Sequence, residues 1–185
     1  MKKILVPIDF SSVSDDGLLV AKKLARITSA KIHIYHVMER SDIDEDAPDM
    51  EDLSENGVSS IAKLDALVHK RIDQLKIDNY QIHYELGFRS VYRSIIDKSE
   101  EINADLIVIG AFGVEGPQKF IGSNAERVIR MSSIPVLSIR GAVEDFYPTN
   151  MVFASQFLNE ANMAYEKLKP FIKAHCSTVN LLRVV

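Results

Sequence analysis

Tryptophan is absent from this chain of 185 residues, and cysteine occurs once. A single thiol, Cys176, cannot close an internal disulfide, which suits a reducing compartment. No stretch approaches the ~20 consecutive apolar residues of a membrane span. The opening "MKKILVPIDF" carries basic residues and a short apolar run, but Asp9 ends that run too early for a signal peptide. These absences point to a cytoplasmic protein with no membrane partner. Positive charge is also in short supply. Lys and Arg number 22 against 26 Asp and Glu, a net charge of −4, which argues against nucleic acid as a main partner.

Familiar chemical signatures are missing as well. Neither a GxxxxGK[ST] phosphate loop nor a GxGxxG fingerprint occurs. His33 and His36 stand three apart on a strand pattern and so face opposite ways. His69 and His83 are isolated, and His175 and Cys176 are adjacent at a helix end, facing different ways. None of this makes a zinc pattern, and no nucleophile–base pair stands out. The expectation is no catalytic residue and no metal site.

What is present is alternation. "KILVPI" (3–8), "KIHIYHV" (31–37), "YQIHYEL" (80–86), "DLIVIG" (105–110) and "PVLSI" (135–139) have the length and β-branched content of buried strands. Between them Leu18, Ala21, Leu24 and Ala25 share a helix face, and Ile61, Leu64, Val68, Ile72 and Leu75 make a second stripe. Further helices are expected over about 89–101 and 123–132. Such a pattern predicts an α/β fold, a parallel sheet with helices on both faces. Residues 39–55 hold nine acids and one Arg, without the glycine at which a calcium loop turns; they read as a solvated connection.

The pattern then repeats. Laid against residues 4–37, residues 151–184 place Phe157 opposite Phe10, and Tyr165, Leu168, Phe171 and Ile172 opposite Leu18, Ala21, Leu24 and Ala25. This suggests an internal duplication that stops after its second strand. The expected organisation is a domain over 1–141, a linker over 142–149 and an incomplete strand-helix-strand copy over 150–185, either a fragment of a longer tandem chain or a tail that docks elsewhere.

Two segments qualify for the carboxyl ends of the strands, where open parallel sheets bind ligands. One is "PIDFSS", with Asp9 and a serine N-cap at Ser11 or Ser12. The other is "GAFGVEGPQKFIGSN", residues 110–124, with four glycines and one lysine. Glycines followed by a helix N-terminus can hold phosphate through backbone N–H groups alone. Ser123-Asn124-Ala125-Glu126 is equally a capping box that needs no ligand.

"KILVPIDFSS", "ADLIVIGAFG" and "IGSNAERVIRMSSIPVLSI" together resemble the universal stress protein family over residues 3–140, and the tail resembles the start of a second copy. The resemblance implies a five-stranded parallel sheet of order 3-2-1-4-5, and the motif G-x2-G-x9-G-[ST] of ATP-binding members. It implies an adenine nucleotide, ATP with or without Mg, as cofactor. Pro7, Ile8 and Asp9 would line the nucleoside, and Val37 would meet the adenine edge through its backbone. Ile109 and Gly110 would wall the ribose, and Gly113, Gly122, Ser123 and Asn124 would receive the phosphates. The chain departs from the motif in its eight-residue spacer, in Ala111 and Phe112, and in Pro117 within the loop. The family also implies a homodimer through the strand at 135–139 and a regulatory, non-enzymatic role. The alternative is an interaction module of the same fold that binds no nucleotide. An ATP pyrophosphatase would want a Ser/Gly-rich loop after the first strand, and a phosphoacceptor domain would want an acidic pair there. Neither is present.

Overall fold

The computed structural model describes residues 1–38, 56–86, 90–111, 123–140 and 146–184. In chain order the elements are β1 (Lys3–Pro7), α1 (Ser12–Thr28), β2 (Lys31–Met38), α2 (Asn56–Leu75), β3 (Tyr80–Leu86), α3 (Val91–Glu101), β4 (Leu106–Gly110), α4 (Ser123–Met131) and β5 (Val136–Ile139). β6 (Asn150–Ser155), α5 (Asn159–His175) and β7 (Thr178–Arg183) follow. The first five strands form one parallel sheet in the order β3-β2-β1-β4-β5. That is the expected topology. Boundaries differ by a residue or two: Ile8, Asp105 and Pro135 fall just outside their strands, and α3 starts at Val91 rather than about 89. Pro135 lacks an N–H but still serves the sheet, because its carbonyl accepts from Ile107 N at 2.9 Å.

Strand sequences are apolar at nearly every position because both faces are covered. Ile4, Val6, Ile32 and Ile34 meet Leu18, Ala21 and Leu24 of α1 and Val68 and Ile72 of α2. On the other face Leu5, Tyr35, Ile107 and Ile109 meet Ile95 of α3 and Ala125 and Val128 of α4. Ser11 is the N-cap of α1, its Oγ accepting from Ser14 N at 3.2 Å.

β6 and β7 form a separate two-stranded parallel sheet. Asn150 pairs with Thr178 and Met151 with Val179, as Lys3 pairs with Lys31 and Ile4 with Ile32, each pair 147 residues further along. α5 stands at the same separation from α1, and Thr178 N bonds Thr149 O (3.1 Å) where Lys31 N bonds Lys2 O (2.8 Å). One difference is burial. Val152 is 61% exposed and Leu182 52%, whereas their counterparts Leu5 and Tyr35 are 0% and 1% exposed. Among the described residues the small sheet is covered by a helix on one face, where Tyr165 of α5 meets Phe153 at 5.4 Å.

α5 lies against α1. Phe171 packs on the first unit's core, Ile172 and His175 are buried, and Lys167 Nζ donates to Ser133 O at 2.8 Å.

Candidate functional site at the carboxyl ends of β1, β2 and β4

The chain winds outward from β1 to β2 and β3 on one side, and crosses to β4 and β5 on the other. The crevice where the order reverses lies between β1 and β4, which are hydrogen-bonded neighbours. Pro7 ends β1 opposite Tyr35. Ile8 N then donates to Tyr35 O at 2.9 Å, and Ile8 O faces His36 Nδ1 at 2.9 Å. His36 therefore carries its proton on Nδ1, and its ring is tilted against that of Phe10 at 4.9 Å.

Alternation along β2 fixes where Val37 points. Lys31 and Tyr35 direct their peptide groups to β1, and Ile32 directs its own to the β3 side. With a period of two, the Val37 N–H and C=O also face the line of β1. β1 has ended there, so no residue of that strand pairs with these groups. The Val37 side chain is buried on the α3/α4 face.

Asp9 is exposed, and its Oδ1 accepts from Ser11 N at 3.0 Å and Ser11 Oγ at 2.5 Å. The turn role read from the sequence is thus filled. Gly110 pairs with Ile139, and a Cβ added to it would lie 2.3 Å from Val13 O. Its lack of a side chain is what lets the first turn of α1 cross β4 so closely. Ile109 is buried beneath it. Ser123 opens α4, and Asn124 is half-buried in its first turn. Gly113, Gly122, the rest of that loop, the capping-box bonds and the acidic segment 39–55 lie outside the described residues.

Three side-chain constellations were not read from the sequence. His33 Nδ1 and His83 Nε2 are 2.9 Å apart with nearly parallel rings. Burial first, then the charges of His83, Lys31 and Lys3, push the His33 pKa down to about 4. Burial and then Lys98 lower that of His83, opposed by Glu101. Next to them Tyr35 Oη donates to Glu85 Oε2 at 2.6 Å, and Ser94 Oγ to Glu85 Oε1 at 3.1 Å. Burial and the Glu85 bond raise the Tyr35 pKa far above its ordinary value. In the third constellation the guanidinium carbons of Arg127 and Arg93 lie 5.1 and 6.0 Å from the centroid of the Tyr92 ring. Hydrogen bonds from Arg93 and Ser90, then the two positive charges, lower the Tyr92 pKa. The available signal was the spacing of Arg127 four residues after Ser123, which puts both on one helix face. No group of three metal-ligating side chains occurs among the described residues, and no described helix is long and apolar enough to cross a membrane. A shallow groove of ≈ 220 Å³ between Phe10 and Leu67, Lys70, Arg71 and Gln74 contains none of the expected site residues.

The family model for the universal stress protein family matches residues 1–140. The chain belongs to that family. It is 28% identical over 144 residues to "Universal stress protein G" of Shigella flexneri, covering 75% of this chain and 99% of the relative. It is 30% identical over 146 residues to "Universal stress protein MJ0531" of Methanocaldococcus jannaschii, covering 75% and 82%. Among solved structures, a universal stress protein in complex with cAMP superposes with a TM-score of 0.56 at 20% identity, covering 76% of this chain and 98% of that one. An Archaeoglobus fulgidus member in complex with dAMP gives 0.53 at 20% identity, covering 75% and 98%. Another from Archaeoglobus fulgidus DSM 4304 gives 0.66 at 17% identity, covering 99% of this chain and 79% of that chain. At these identities the structural likeness establishes the fold.

Proposed function

We propose that this universal stress protein is a regulator that binds an adenine nucleotide, with ATP or MgATP as cofactor, and performs no catalysis of its own. The observation that carries this is the backbone edge of Val37, which β1 is too short to pair with. Its N–H donor and C=O acceptor, on the side of β1 that continues into Ile8 and Asp9, match the hydrogen-bonding edge of adenine. Ile109 and Gly110 would border the ribose. Gly113, Gly122, Ser123 and Asn124 would present N–H groups and a hydroxyl to the phosphates at the start of α4. The family members solved with cAMP and with dAMP support the nucleotide class.

The remaining organisation follows as part of the same reading. Residues 1–141 form the nucleotide-binding domain, 142–149 the linker, and 150–185 part of a second copy, which agrees with the register repeated at 147 residues. β5 is an edge strand with Val136 and Leu137 half-buried, so two copies of the chain would pair through 135–139. The protein would work in the cytoplasm through this dimer or a protein partner.

The test is a thermal scan of the full chain with MgATP. A ligand that binds only the folded state adds about 2.7 kcal/mol at a hundredfold excess over its Kd. The expected result is a clear rise in Tm that Gly122→Val abolishes. No rise would favour the nucleotide-free interaction module, for which the prior engagement of Asp9 Oδ1 by Ser11 is the supporting observation.

A further inference from the structure

Resting on the nucleotide reading, the geometry points to a second, cationic subsite: Arg127 and Arg93, held on the Tyr92 ring, receive the terminal phosphates and make the protein selective for the triphosphate over the monophosphate. The first support is position. Val37 lies at the end of β2, and β1, β4 and then α4 follow it across the top of the sheet. A nucleotide with its base at Val37 thus extends its phosphates toward α4. α3 and α4 pack together on one face of the sheet. Arg93 is the third residue of α3 and Arg127 the fifth of α4, so both sit within the first two turns, toward the strand ends. Side chains of a helix lean back toward its N-terminus, which aims Arg127 at the level of Ser123.

The second support is charge. Two guanidinium groups lie at 5.1 and 6.0 Å from the centre of one ring, so two positive charges flank the same side chain. Among the described residues neither is ion-paired with a carboxylate; Glu126 pairs with Arg130 instead. Arg93 also donates to the Tyr92 hydroxyl, while Arg127 lies over the ring; stacking fixes the plane of a guanidinium with its remaining N–H groups at the edge, the arrangement that takes phosphate oxygens in pairs. A monophosphate ends before this point, whereas β- and γ-phosphates continue into it. The absence of a P-loop lysine leaves just such a charge to be supplied from elsewhere.

The experiment is calorimetric titration of the full chain with ATP, AMP and inorganic tripolyphosphate, repeated for Arg127→Ala, Arg93→Ala and Tyr92→Phe. In the arginine variants ATP affinity should fall about tenfold while AMP affinity stays unchanged. Tyr92→Phe keeps the ring and should keep the ratio. Tripolyphosphate should bind the wild type and lose affinity in both arginine variants. An ATP-to-AMP ratio that the arginine substitutions leave unaltered overturns the subsite while leaving nucleotide binding intact. Binding of tripolyphosphate with no binding of AMP or ATP retains the anion site and overturns the nucleotide reading. Binding of none of the three overturns both.

Discussion

Phe10 and Phe157 hold the same left-handed backbone, φ 62° and 58°, immediately after the first strand of two β-α-β units. Non-glycine residues rarely adopt this conformation, and aromatic ones seldom. Its recurrence at matching steps, with the strand register repeated at the same offset, is a backbone signature of the proposed second copy. The two rings then part company: Phe10 packs on His36, and Phe157 meets Phe153 edge-on at 6.5 Å.

A consequence concerns the tail. If residues 150–185 are a second copy docked through α5, deleting 142–185 should leave a first domain that folds cooperatively. Its midpoint should drop, because Phe171 and Ile172 no longer cover α1, each large side chain contributing up to about 1.5–3 kcal/mol. Circular dichroism melts of the two chains would measure the drop. An unfolded remainder would mean that the tail completes the first core, and the two-copy organisation would be lost.

Two glycines facing each other should respond oppositely. Gly110→Ala puts a methyl 2.3 Å from Val13 O and 2.6 Å from Val13 C, both backbone atoms of α1. The helix must shift, at a cost of about 1–3 kcal/mol in urea unfolding. Gly17→Ala meets its nearest neighbour, Gly110 N, at 3.4 Å and lies inside α1. The gain of about 0.5–1 kcal/mol from helix propensity should leave that variant near neutral or more stable.

Stability should fall in mild acid. His33 and His83 are held neutral when folded, His33 with a pKa of about 4 against 6.5 in the unfolded chain. Between those values the unfolded state binds protons that the folded state refuses. The contribution is therefore complete above pH 6.5 and lost as pH falls through that range. His175, whose pKa is lowered by burial and by the Met1 amino group, adds to the same trend. Denaturant midpoints at pH 7 and pH 5 should differ in the wild type and differ less in His33→Asn. Equal slopes in both proteins would remove His33 from this account.

Tyr35 and Glu85 lie 50 residues apart and their side chains meet at 2.6 Å beneath the sheet. Tyr35 is 1% exposed, so Glu85→Ala leaves its hydroxyl without that acceptor, a loss of about 1–3 kcal/mol. Tyr35→Phe removes the donor while Ser94 still bonds the carboxylate, and should cost less. Urea unfolding of the two single variants gives the order; the reverse order would show that Glu85 is the more demanding partner.

The sequence determined the fold almost completely. Apolar runs without alternation require strands buried on both faces, and stripes spaced by three and four require helices laid over them. Short connections and right-handed crossovers then leave few arrangements. It also determined that Asp9, Val37 and Gly110 stand at the ends of neighbouring strands. Periodicity says which side a residue faces but not which residue of another strand it meets. The meeting of His33 with His83 rests on the β2/β3 register, which pairs His83 with Tyr35 and leaves His33 diagonal to it. The grouping of Tyr92 with Arg93 and Arg127 required α3 and α4 to pack side by side. Gly110 reads in the sequence as a ligand glycine; the tertiary structure gives it a packing reason, the closeness of Val13 O. Likewise, nothing local distinguishes Val152 from Leu5. Burial of one and not the other depends on helices distant in the chain, and here it is Leu5 that is covered, by α3 and α4, while Val152 is left open.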